Sequence, residues 1–315
     1  MLGNGIILEC RDLRKTYGDR VAVNGVSFSI RRGETYGLLG PNGAGKTTTI
    51  SMICGLLERD GGTVVVDGKP MSPSAVDAKA VIGYVPQDLA IYPDLSAREN
   101  LRFFGQLYGL SGKTLSARVD EVLEVIGLAD RANDRADSFS GGMKRRLNIG
   151  IGMLHSPRLL VLDEPTVGVD PQSRNAILDT VDTLGGQGIA VLYTTQYMEE
   201  AERLCDRVGI IDEGRLKAEG TRRELVALVG QRDRIALSAQ GDLEATARAV
   251  SALDGVEQVN RHEGGLDLFV KDARRMLPQL LSTVANAGAS VSAVEVVEPN
   301  LEAVFLHLTG KALRD

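Results

Sequence analysis

Short apolar runs alternate along the chain with segments in which apolar residues recur every three or four positions. The runs at 36–39, 159–162 and 189–193 are typical of buried strands, and RNAILDTVDTL at 174–184 is typical of an amphipathic helix. Strands that alternate with helices usually form a parallel sheet with helices on its faces. The pattern therefore predicts an α/β core.

Two segments with other patterns flank or interrupt this core. Residues 6–39 contain short β segments separated by Gly and Arg, which predicts an N-terminal antiparallel β subdomain. Residues 95–137 carry apolar residues at helical spacing, which predicts a helical subdomain at about 95–145 inserted into the core. A polar joint at 224–234 is expected to end this first domain, which we place at 1–230.

Residues 231–315 are predicted to form a second, smaller domain. Strand-like and helix-like segments follow one another in the order β-α-β-β-α-β, with a hairpin around Gly264 and Gly265. This order is typical of a ferredoxin-like α+β fold. The length of 315 residues agrees with two domains, because most domains contain about 100–200 residues.

Composition narrows the class of protein. Apolar residues make up 43% and charged residues 25%, as in soluble globular proteins. No apolar stretch approaches the roughly 20 residues that span a bilayer, and no signal-peptide pattern is present, so we expect a cytosolic chain. A net charge of −6 does not support nucleic-acid binding. Cys10, Cys54 and Cys205 lack CxxC spacing, which argues against zinc and disulfides.

The segment GPNGAGKTT matches the phosphate-binding pattern G-x-x-x-x-G-K-[ST] and lies between an apolar strand and a helix-like segment. Its glycines let backbone N–H groups surround a phosphate, Lys46 reaches the β and γ oxygens, and the Thr47 hydroxyl ligates Mg²⁺. The segment thus predicts a nucleotide-binding site with Mg²⁺. The predicted nucleotide-binding residues of this loop are Gly40, Pro41, Asn42, Gly43, Ala44, Gly45, Lys46, Thr47 and Thr48.

Two adjacent carboxylates, Asp163 and Glu164, follow the apolar run LLVL. Alone, such a pair is more often a solvated loop end. Beside a phosphate-binding loop, Asp163 is expected to hold Mg²⁺ and Glu164 to accept a proton from the attacking water.

A second anion-binding pattern, SFSGGMKRR, places Ser140, Gly141 and Gly142 just before an amphipathic helix. One nucleotide does not need two phosphate-binding helix starts in one subunit. The second pattern is therefore expected to face the nucleotide of another subunit.

With these motifs, residues 6 to about 228 resemble the nucleotide-binding subunits of ABC transporters. The resemblance includes the Walker A motif GPNGAGKT, the signature FSGGM, the Walker B segment LLVLDE, the Q-loop VPQD with Gln87 and the D-loop VGVD ending at Asp170. It implies a P-loop NTPase cassette with a RecA-like parallel-sheet core. It also implies an ATP sandwich, in which two cassettes pair head to tail and each ATP lies between one Walker A motif and the partner's signature.

The resemblance assigns roles to single residues as well. It implies that Thr47, Gln87 and Asp163 hold Mg²⁺, and that Gln87 and Asp170 lie at the nucleotide. Tyr17 falls where the family has an aromatic residue that stacks on adenine, although an isolated tyrosine would more often belong to the core.

The family also has a histidine that contacts the γ-phosphate after the last core strand, and here that position is Gln196. Either the site is impaired, or Gln196 acts by hydrogen bonding without proton transfer. A positioned general base is worth about 10²–10⁴ in rate, whereas one hydrogen bond to a charged group is worth about 1.5–3 kcal/mol. Since the other motifs are intact, we favour an active ATPase whose catalytic residues are Lys46, Glu164 and Gln196.

Five of the thirteen aromatic residues lie near Gln87 and the start of the helical subdomain: Tyr84, Tyr92, Phe103, Phe104 and Tyr108. In the family this region forms a groove for a cytoplasmic helix of the membrane subunit, and aromatic residues are favoured anchors in interfaces. The alternative is that they form the core of the helical insert. Phe103 and Phe104 suit both interpretations, whereas Tyr92 favours docking. The resemblance thus implies separately encoded permease subunits and a peripheral location on the cytoplasmic face of the membrane.

The tail VEPNLEAVFLHLTG at 297–310 resembles the closing segment of exporter ATPases of the daunorubicin-resistance and related drug or lipid type. It favours export of a drug, lipid or other hydrophobic compound. One alternative is a methionine-type importer, whose ferredoxin-like domain senses ligand. The other is a soluble ABC protein of translation or DNA repair, which generally has two cassettes or a long coiled-coil insertion. For the C-terminal domain, dimerisation or stability is favoured over ligand sensing.

Overall fold

The computed structural model describes residues 5–228, 232–262, 264–297 and 300–309. The chain forms two compact units, one with the residues up to 222 together with 308–309, the other with residues 223–307. The domain boundary that we predict at residue 230 lies outside the described residues, and it stays a prediction.

The first unit contains an antiparallel sheet, a mostly parallel sheet and a group of helices. Its strands are β1 Ile6–Tyr17, β2 Arg20–Arg31, β3 Thr35–Leu39, β4 Gly61–Val66, β5 Lys69–Pro70, β6 Ile82–Val85, β7 Leu159–Asp163, β8 Ala190–Thr195, β9 Arg207–Asp212 and β10 Arg215–Gly220. Its α-helices are α1 Lys46–Ile53, α2 Val76–Lys79, α3 Ala97–Leu107, α4 Gly112–Val125, α5 Gly141–Met153, α6 Pro171–Gly186 and α7 Met198–Leu204, and α8 Arg222–Leu228 follows.

The two sheets of this unit have the architecture that the sequence pattern predicts. The larger sheet has the strand order β10-β9-β3-β8-β7-β6, and its strands are parallel from β9 to β6, while β10 is an antiparallel edge strand. The smaller sheet, β2-β1-β4-β5, is antiparallel. Because β3, β8, β7 and β6 are parallel neighbours, their carboxyl ends meet at one edge of the sheet.

Strands β7 and β8 separate two hydrophobic cores. In β7, Leu159 and Val161 pack into a core with the small sheet and α1, whereas Leu160 and Leu162 pack into a core with α3, α4, α5 and α6. Successive side chains of a strand point to opposite faces of the sheet. This arrangement explains why LLVL is apolar at every position instead of at every second one.

The helical part begins with a well-defined cap. The Ser96 hydroxyl accepts a hydrogen bond from the Glu99 N–H, and the Glu99 carboxylate accepts one from the Ser96 N–H at 2.8 Å. The side chain of Asn100 is completely buried, and it both accepts from the Tyr92 N–H at 2.7 Å and donates to the Tyr92 carbonyl at 2.9 Å. These contacts fix the backbone of the segment that leads into α3.

Two segments differ from the local structure that the sequence pattern predicts. Strand β8 extends beyond the apolar run at 189–193 through Thr194 and Thr195, and both are buried. Their hydroxyl groups find partners inside the protein, which removes the cost of burying them. The polar joint at 224–234 contains part of the helix α8, in which Leu225 is buried.

The second unit has one antiparallel sheet and helices on it. Its elements are β11 Asp233–Gln240, α9 Leu243–Ser251, β12 Val256–His262, β13 Gly265–Val270, α10 Ala273–Asn286 and β14 Ser290–Val297, and α11 Leu301–Thr309 follows. The strand order is β12-β13-β11-β14. The helical conformation of 301–309 is an addition to the predicted pattern, and positions 298, 299 and 310 of the predicted tail segment lie outside the described residues. The ferredoxin-like classification of this unit stays a prediction.

Candidate active site

A cleft of about 470 Å³ lies at the edge of the sheet where β3 and its neighbours end. Its lining includes residues from the phosphate-binding loop, from the end of β1, from the segment after β6 and from the segment after β7. The lining residues are Tyr17, Arg20, Ala22, Asn42, Gly43, Gly45, Lys46, Thr47, Thr48, Gln87 and Glu164. Nine of these eleven residues belong to the predicted site.

The loop between β3 and α1 has a conformation that needs glycine. Gly45 has φ 102°, and a Cβ atom at this position would lie 2.6 Å from the carbonyl oxygen of Ala22. Only glycine adopts such a conformation without strain. Helix α1 begins at the next residue, Lys46, so its N-terminal N–H groups lie at the cleft, where they favour an anion.

Lys46 and Glu164 form a buried ion pair in the cleft. The Lys46 Nζ atom lies 2.9 Å from Glu164 Oε1, and the side chains are only 3% and 7% exposed. Lys46 also donates to the carbonyl oxygens of Gly40 at 2.6 Å and Pro41 at 3.0 Å. The Lys46 ammonium group is thus held against the first residues of the phosphate-binding loop, next to the carboxylate predicted to act as the base.

Asp163 is a buried carboxylate with one unused oxygen. Burial raises the pKa of Asp163, and the nearby hydroxyl groups of Thr194 and Thr47 act in the opposite direction. Thr194 Oγ1 donates to Asp163 Oδ1 at 2.8 Å. Among the described residues, Oδ2 has no hydrogen-bond partner. Since an unpaired buried carboxylate oxygen is costly, the site fits a cation held by Asp163 with Thr47 close by.

The backbone at Glu164 is unusual. Its φ of 46° lies in the left-handed region, which non-glycine residues rarely occupy. The Glu164 N–H donates to Thr194 Oγ1 at 3.0 Å, so the same hydroxyl group that donates to Asp163 also fixes the turn after β7. Strained residues of this kind concentrate at functional sites.

Nine predicted site residues are not part of the cleft lining in this subunit. Gly40, Pro41 and Ala44 belong to the loop itself and Asp163 precedes Glu164, whereas Ser140, Gly141, Gly142 and Asp170 lie in other segments and Gln196 follows β8. Ser140 caps α5 by accepting from the Met143 N–H at 3.2 Å, and Asp170 caps α6 by accepting from the Ser173 N–H at 3.0 Å. A Cβ atom on Gly142 would lie 2.2 Å from the Cβ atom of Ser173, so α5 and α6 touch at their first turns. Packing alone therefore requires glycine at position 142.

Gln196 is also absent from the described lining of the cleft. It directly follows β8, the neighbour of both β3 and β7. The backbone oxygen of Thr195, the residue before it, accepts from the N–H of Gly40 in the phosphate-binding loop at 3.2 Å. In the described part of the chain, the Gln196 Oε1 atom is buried and has no hydrogen-bond partner. Residue 196 thus directly follows the strand end that contacts the loop, and its side chain has an acceptor left unused.

Two family models match the chain. Residues 23–167 match the model described as ABC transporter, and residues 220–309 match the one described as ATP-binding protein DrrA1-3-like, C-terminal domain. The linearmycin resistance ATP-binding protein LnrL of Bacillus subtilis (strain 168) is 47% identical, and the alignment covers 98% of this chain and 100% of LnrL.

The chain belongs to the ABC transporter family.

Further comparisons agree with this assignment of the cassette. Nod factor export ATP-binding protein I of Cupriavidus pinatubonensis (strain JMP 134 / LMG 1197) is 40% identical over 98% of this chain and 92% of its own length. A solved structure, the ATP binding subunit of an ABC transporter, superposes with a TM-score of 0.64 at 33% identity, over 71% of this chain and 93% of that chain. The predicted cassette fold is confirmed. ABC cassettes hydrolyse ATP to power transport, so this one is an ATPase.

The structure adds two residues to the cleft that we did not predict. Ala22 and Arg20 lie on β2, just after Tyr17, and Arg20 is exposed. The guanidinium group of Arg20 lies 3.5 Å from where a Cβ atom of Gly43 would be. The spacing of the phosphate-binding motif does not indicate Arg20 or Ala22, because β2 approaches the loop only in the folded chain.

None of the helices in the described part of the cassette combines the length and the apolar composition that crossing a bilayer requires.

Proposed function

We propose that the cassette binds ATP with Mg²⁺ in the cleft, hydrolyses it within a dimer and thereby drives export of a hydrophobic compound through separate membrane subunits. The observation that carries this proposal is the cluster of Lys46, Glu164 and Asp163 at the phosphate-binding loop. Export is supported by the relatives, one a linearmycin resistance protein and the other a Nod factor export protein. They do not favour the importer alternative.

We infer a role for each cleft residue from its position. The loop and the start of α1 bind the phosphates, and Tyr17, at the end of β1 and 49% exposed, stacks on the adenine. Asp163, Thr47 and Gln87 would hold Mg²⁺, which when bound would supply positive charge to the phosphate oxygens. The unused oxygen of Asp163 supports this role.

Hydrolysis requires a change at the Lys46–Glu164 pair. In the structure the Lys46 ammonium group lies 2.9 Å from Glu164 Oε1, so this carboxylate oxygen is engaged by Lys46 while the pair is closed. Phosphate oxygens compete for Lys46, and Glu164 is then free to orient the water and to accept its proton. Gln196 hydrogen-bonds the γ-phosphate by its amide group.

The second half of each ATP site comes from the other subunit of the dimer, whether a second copy or a related chain. Ser140, Gly141 and Gly142 start a helix but do not line their own subunit's cleft, and Asp170 also lies apart from it. Placing them against the partner's nucleotide gives these helix N-termini an anion to bind.

Replacement of Gln196 separates hydrogen bonding from proton transfer. Gln196→Ala is expected to lower the steady-state rate of phosphate release about tenfold to a hundredfold, because one hydrogen bond to a charged group is lost. Gln196→His retains a donor and is expected to remain within a few-fold of the wild-type rate. Equal rates for the three proteins, measured at saturating ATP, would refute the role of Gln196.

Three aromatic residues form the candidate docking surface for the permease: Tyr92, Phe103 and Phe104. The Tyr92 ring lies 5.0 Å from that of Phe103 and 6.0 Å from that of Phe104, and it is 47% exposed. The other two candidates have separate surroundings, since Tyr108 stacks on His155 at 4.1 Å and Tyr84 lies within β6. Phe104 is partly buried against the core that contains α3, α4, α5 and α6, so Tyr92 and Phe103 supply the exposed area of the proposed docking surface.

A charge change beside this surface tests its role. Arg102→Glu alters an exposed residue of α3 next to Phe103, without removing an aromatic ring. We expect transport in membranes containing the permease to fall at least tenfold, because an interface tolerates an unpaired charge poorly. Basal phosphate release should stay unchanged. Lys113→Glu on α4 is the matched control, and an equal effect of both variants would argue against docking here.

Co-purification from membranes tests the whole assignment. We expect membrane-spanning subunits and a second ATP-binding subunit to accompany the full-length chain, which places it peripherally on the cytoplasmic face. The C-terminal unit is proposed to serve dimerisation or stability. Recovery of the chain alone from membranes and cytosol, with no membrane subunit, would contradict the proposed function.

A further inference from the structure

Glu200 is a fully buried carboxylate that the proposed mechanism does not yet use. It lies in α7 and is 1% exposed. Oε1 accepts a hydrogen bond from the Thr166 hydroxyl at 2.7 Å, and Oε2 accepts from the hydroxyls of Thr195 at 2.7 Å and Tyr193 at 3.0 Å. The Arg174 Nε atom lies 3.6 Å from Oε1. A buried charge with this many donors is satisfied and held in one position.

The partners of Glu200 come from three segments that meet at the site. Thr166 follows the turn at Glu164, Thr195 directly precedes Gln196, and Arg174 lies in the first turn of α6, just after Asp170. One carboxylate therefore connects the segment with the base to the segment with the γ-phosphate contact. It also connects both to the helix that starts at the D-loop.

These contacts hold Gln196 from both sides. The Thr195 Oγ1 atom donates to Glu200 and also accepts from the Tyr197 N–H at 2.9 Å. On the other side, the Arg174 guanidinium group lies 4.4 Å from the centre of the Tyr197 ring, a cation–π contact. The backbone on either side of position 196 is thus anchored to groups that Glu200 contacts.

We propose that Glu200 is a positioning residue that fixes the Gln196 amide relative to Glu164 and so sets the rate of hydrolysis. The inference rests on the proposed roles of these two residues. An acid is required at position 200 because the Thr195 hydroxyl accepts from a backbone N–H and must therefore donate. An amide at 200 presents an NH₂ donor in place of one acceptor oxygen. If this donor faces Thr195, the Thr195 hydroxyl, which already accepts from the Tyr197 N–H, loses its acceptor; if it faces Thr166, the contact with Arg174 weakens, because an NH₂ group cannot accept from the guanidinium group.

A double-mutant cycle tests the proposal on the full-length chain. Glu200→Gln is expected to lower kcat for ATP hydrolysis about tenfold, and to leave KM for ATP within about twofold, because the phosphate-binding loop is untouched. In a Gln196→Ala background the same substitution is expected to change kcat less than about twofold, since no amide remains to be positioned.

Two further variants complete the design. Thr195→Val keeps the shape of a buried β-branched side chain and removes the hydroxyl link to Glu200. It should reproduce the result of Glu200→Gln in both backgrounds, and it decides the question if Glu200→Gln does not fold. Thr180→Val is the matched control, because Thr180 is buried on α6 and its hydroxyl donates to the Ala176 carbonyl of the same helix. We expect it to leave kcat unchanged in both backgrounds.

The possible outcomes separate the two hypotheses. Equal losses of kcat with and without the Gln196 amide, or a change in KM instead of kcat, would overturn the positioning role and leave the proposed function intact. Wild-type protein without phosphate release would overturn the proposed function itself. A loss of kcat that occurs when Gln196 is present, but not in the Gln196→Ala background, supports the proposal.

Discussion

Replacing Glu164 by Gln is expected to lower steady-state phosphate release at least about a hundredfold, because a positioned general base contributes about 10²–10⁴ in rate. The amide oxygen can still accept a hydrogen bond from Lys46, so the contact can keep its geometry, while Lys46 keeps its positive charge and loses the opposing negative one. ATP binding should therefore persist. With hydrolysis blocked, the ATP-bound dimer accumulates and becomes detectable as a species of twice the mass.

The measurement combines phosphate release, equilibrium ATP binding and gel filtration with ATP and Mg²⁺. Glu58→Gln, which changes an exposed carboxylate, is the control for the loss of one negative charge. Phosphate release at the wild-type rate in Glu164→Gln would remove Glu164 from the role of base.

Lys46→Ala is expected to weaken ATP binding about a hundredfold or more, and hydrolysis would fall with it. Charged hydrogen bonds to the phosphate oxygens are lost, each worth about 1.5–3 kcal/mol. The substitution also leaves Glu164 buried without its cation, and breaking a buried ion pair costs about 3–5 kcal/mol of stability. We therefore expect both a higher Kd for ATP and a lower Tm.

A second variant separates the two effects of Lys46→Ala. In the double variant Lys46→Ala with Glu164→Gln, the unpaired charge is gone, so much of the stability should return while ATP binding stays weak. Thermal unfolding and equilibrium binding of ATP measure these quantities. If ATP binding recovered together with stability, Lys46 would act only through folding and not by contacting phosphate.

The sequence predicts those parts of the site that consist of contiguous residues. The loop at 40–48 and the acids Asp163 and Glu164 lie at the ends of apolar strands, and the order of parallel strands brings strand ends to one edge. For the same reason the apolar runs correctly predict strands buried on both faces. The spacing of motif residues and the apolar runs were sufficient for these predictions.

The remaining features depend on contacts between distant segments, which spacing does not contain. Arg20 reaches the cleft because β2 approaches the loop after β3, and Glu200 is buried because three hydroxyl groups from other segments converge on it. In the sequence, Glu200 is only one acid of an acidic helix start. Similarly, the sequence does not indicate the ring contacts of the five aromatic residues: Tyr108 stacks on His155, whereas Tyr92 packs against Phe103 and Phe104.

The contact between Gly142 and Ser173 limits which sequences this cassette can accept. A single methyl group at position 142 has no space unless Ser173 moves, and the N–H of Ser173 is the group that Asp170 caps. Loss of such a cap costs about 1 kcal/mol. Positions 142 and 173 are therefore expected to change together in evolution. If position 142 is randomised while Ser173 is kept, the folded variants should carry almost only glycine at 142.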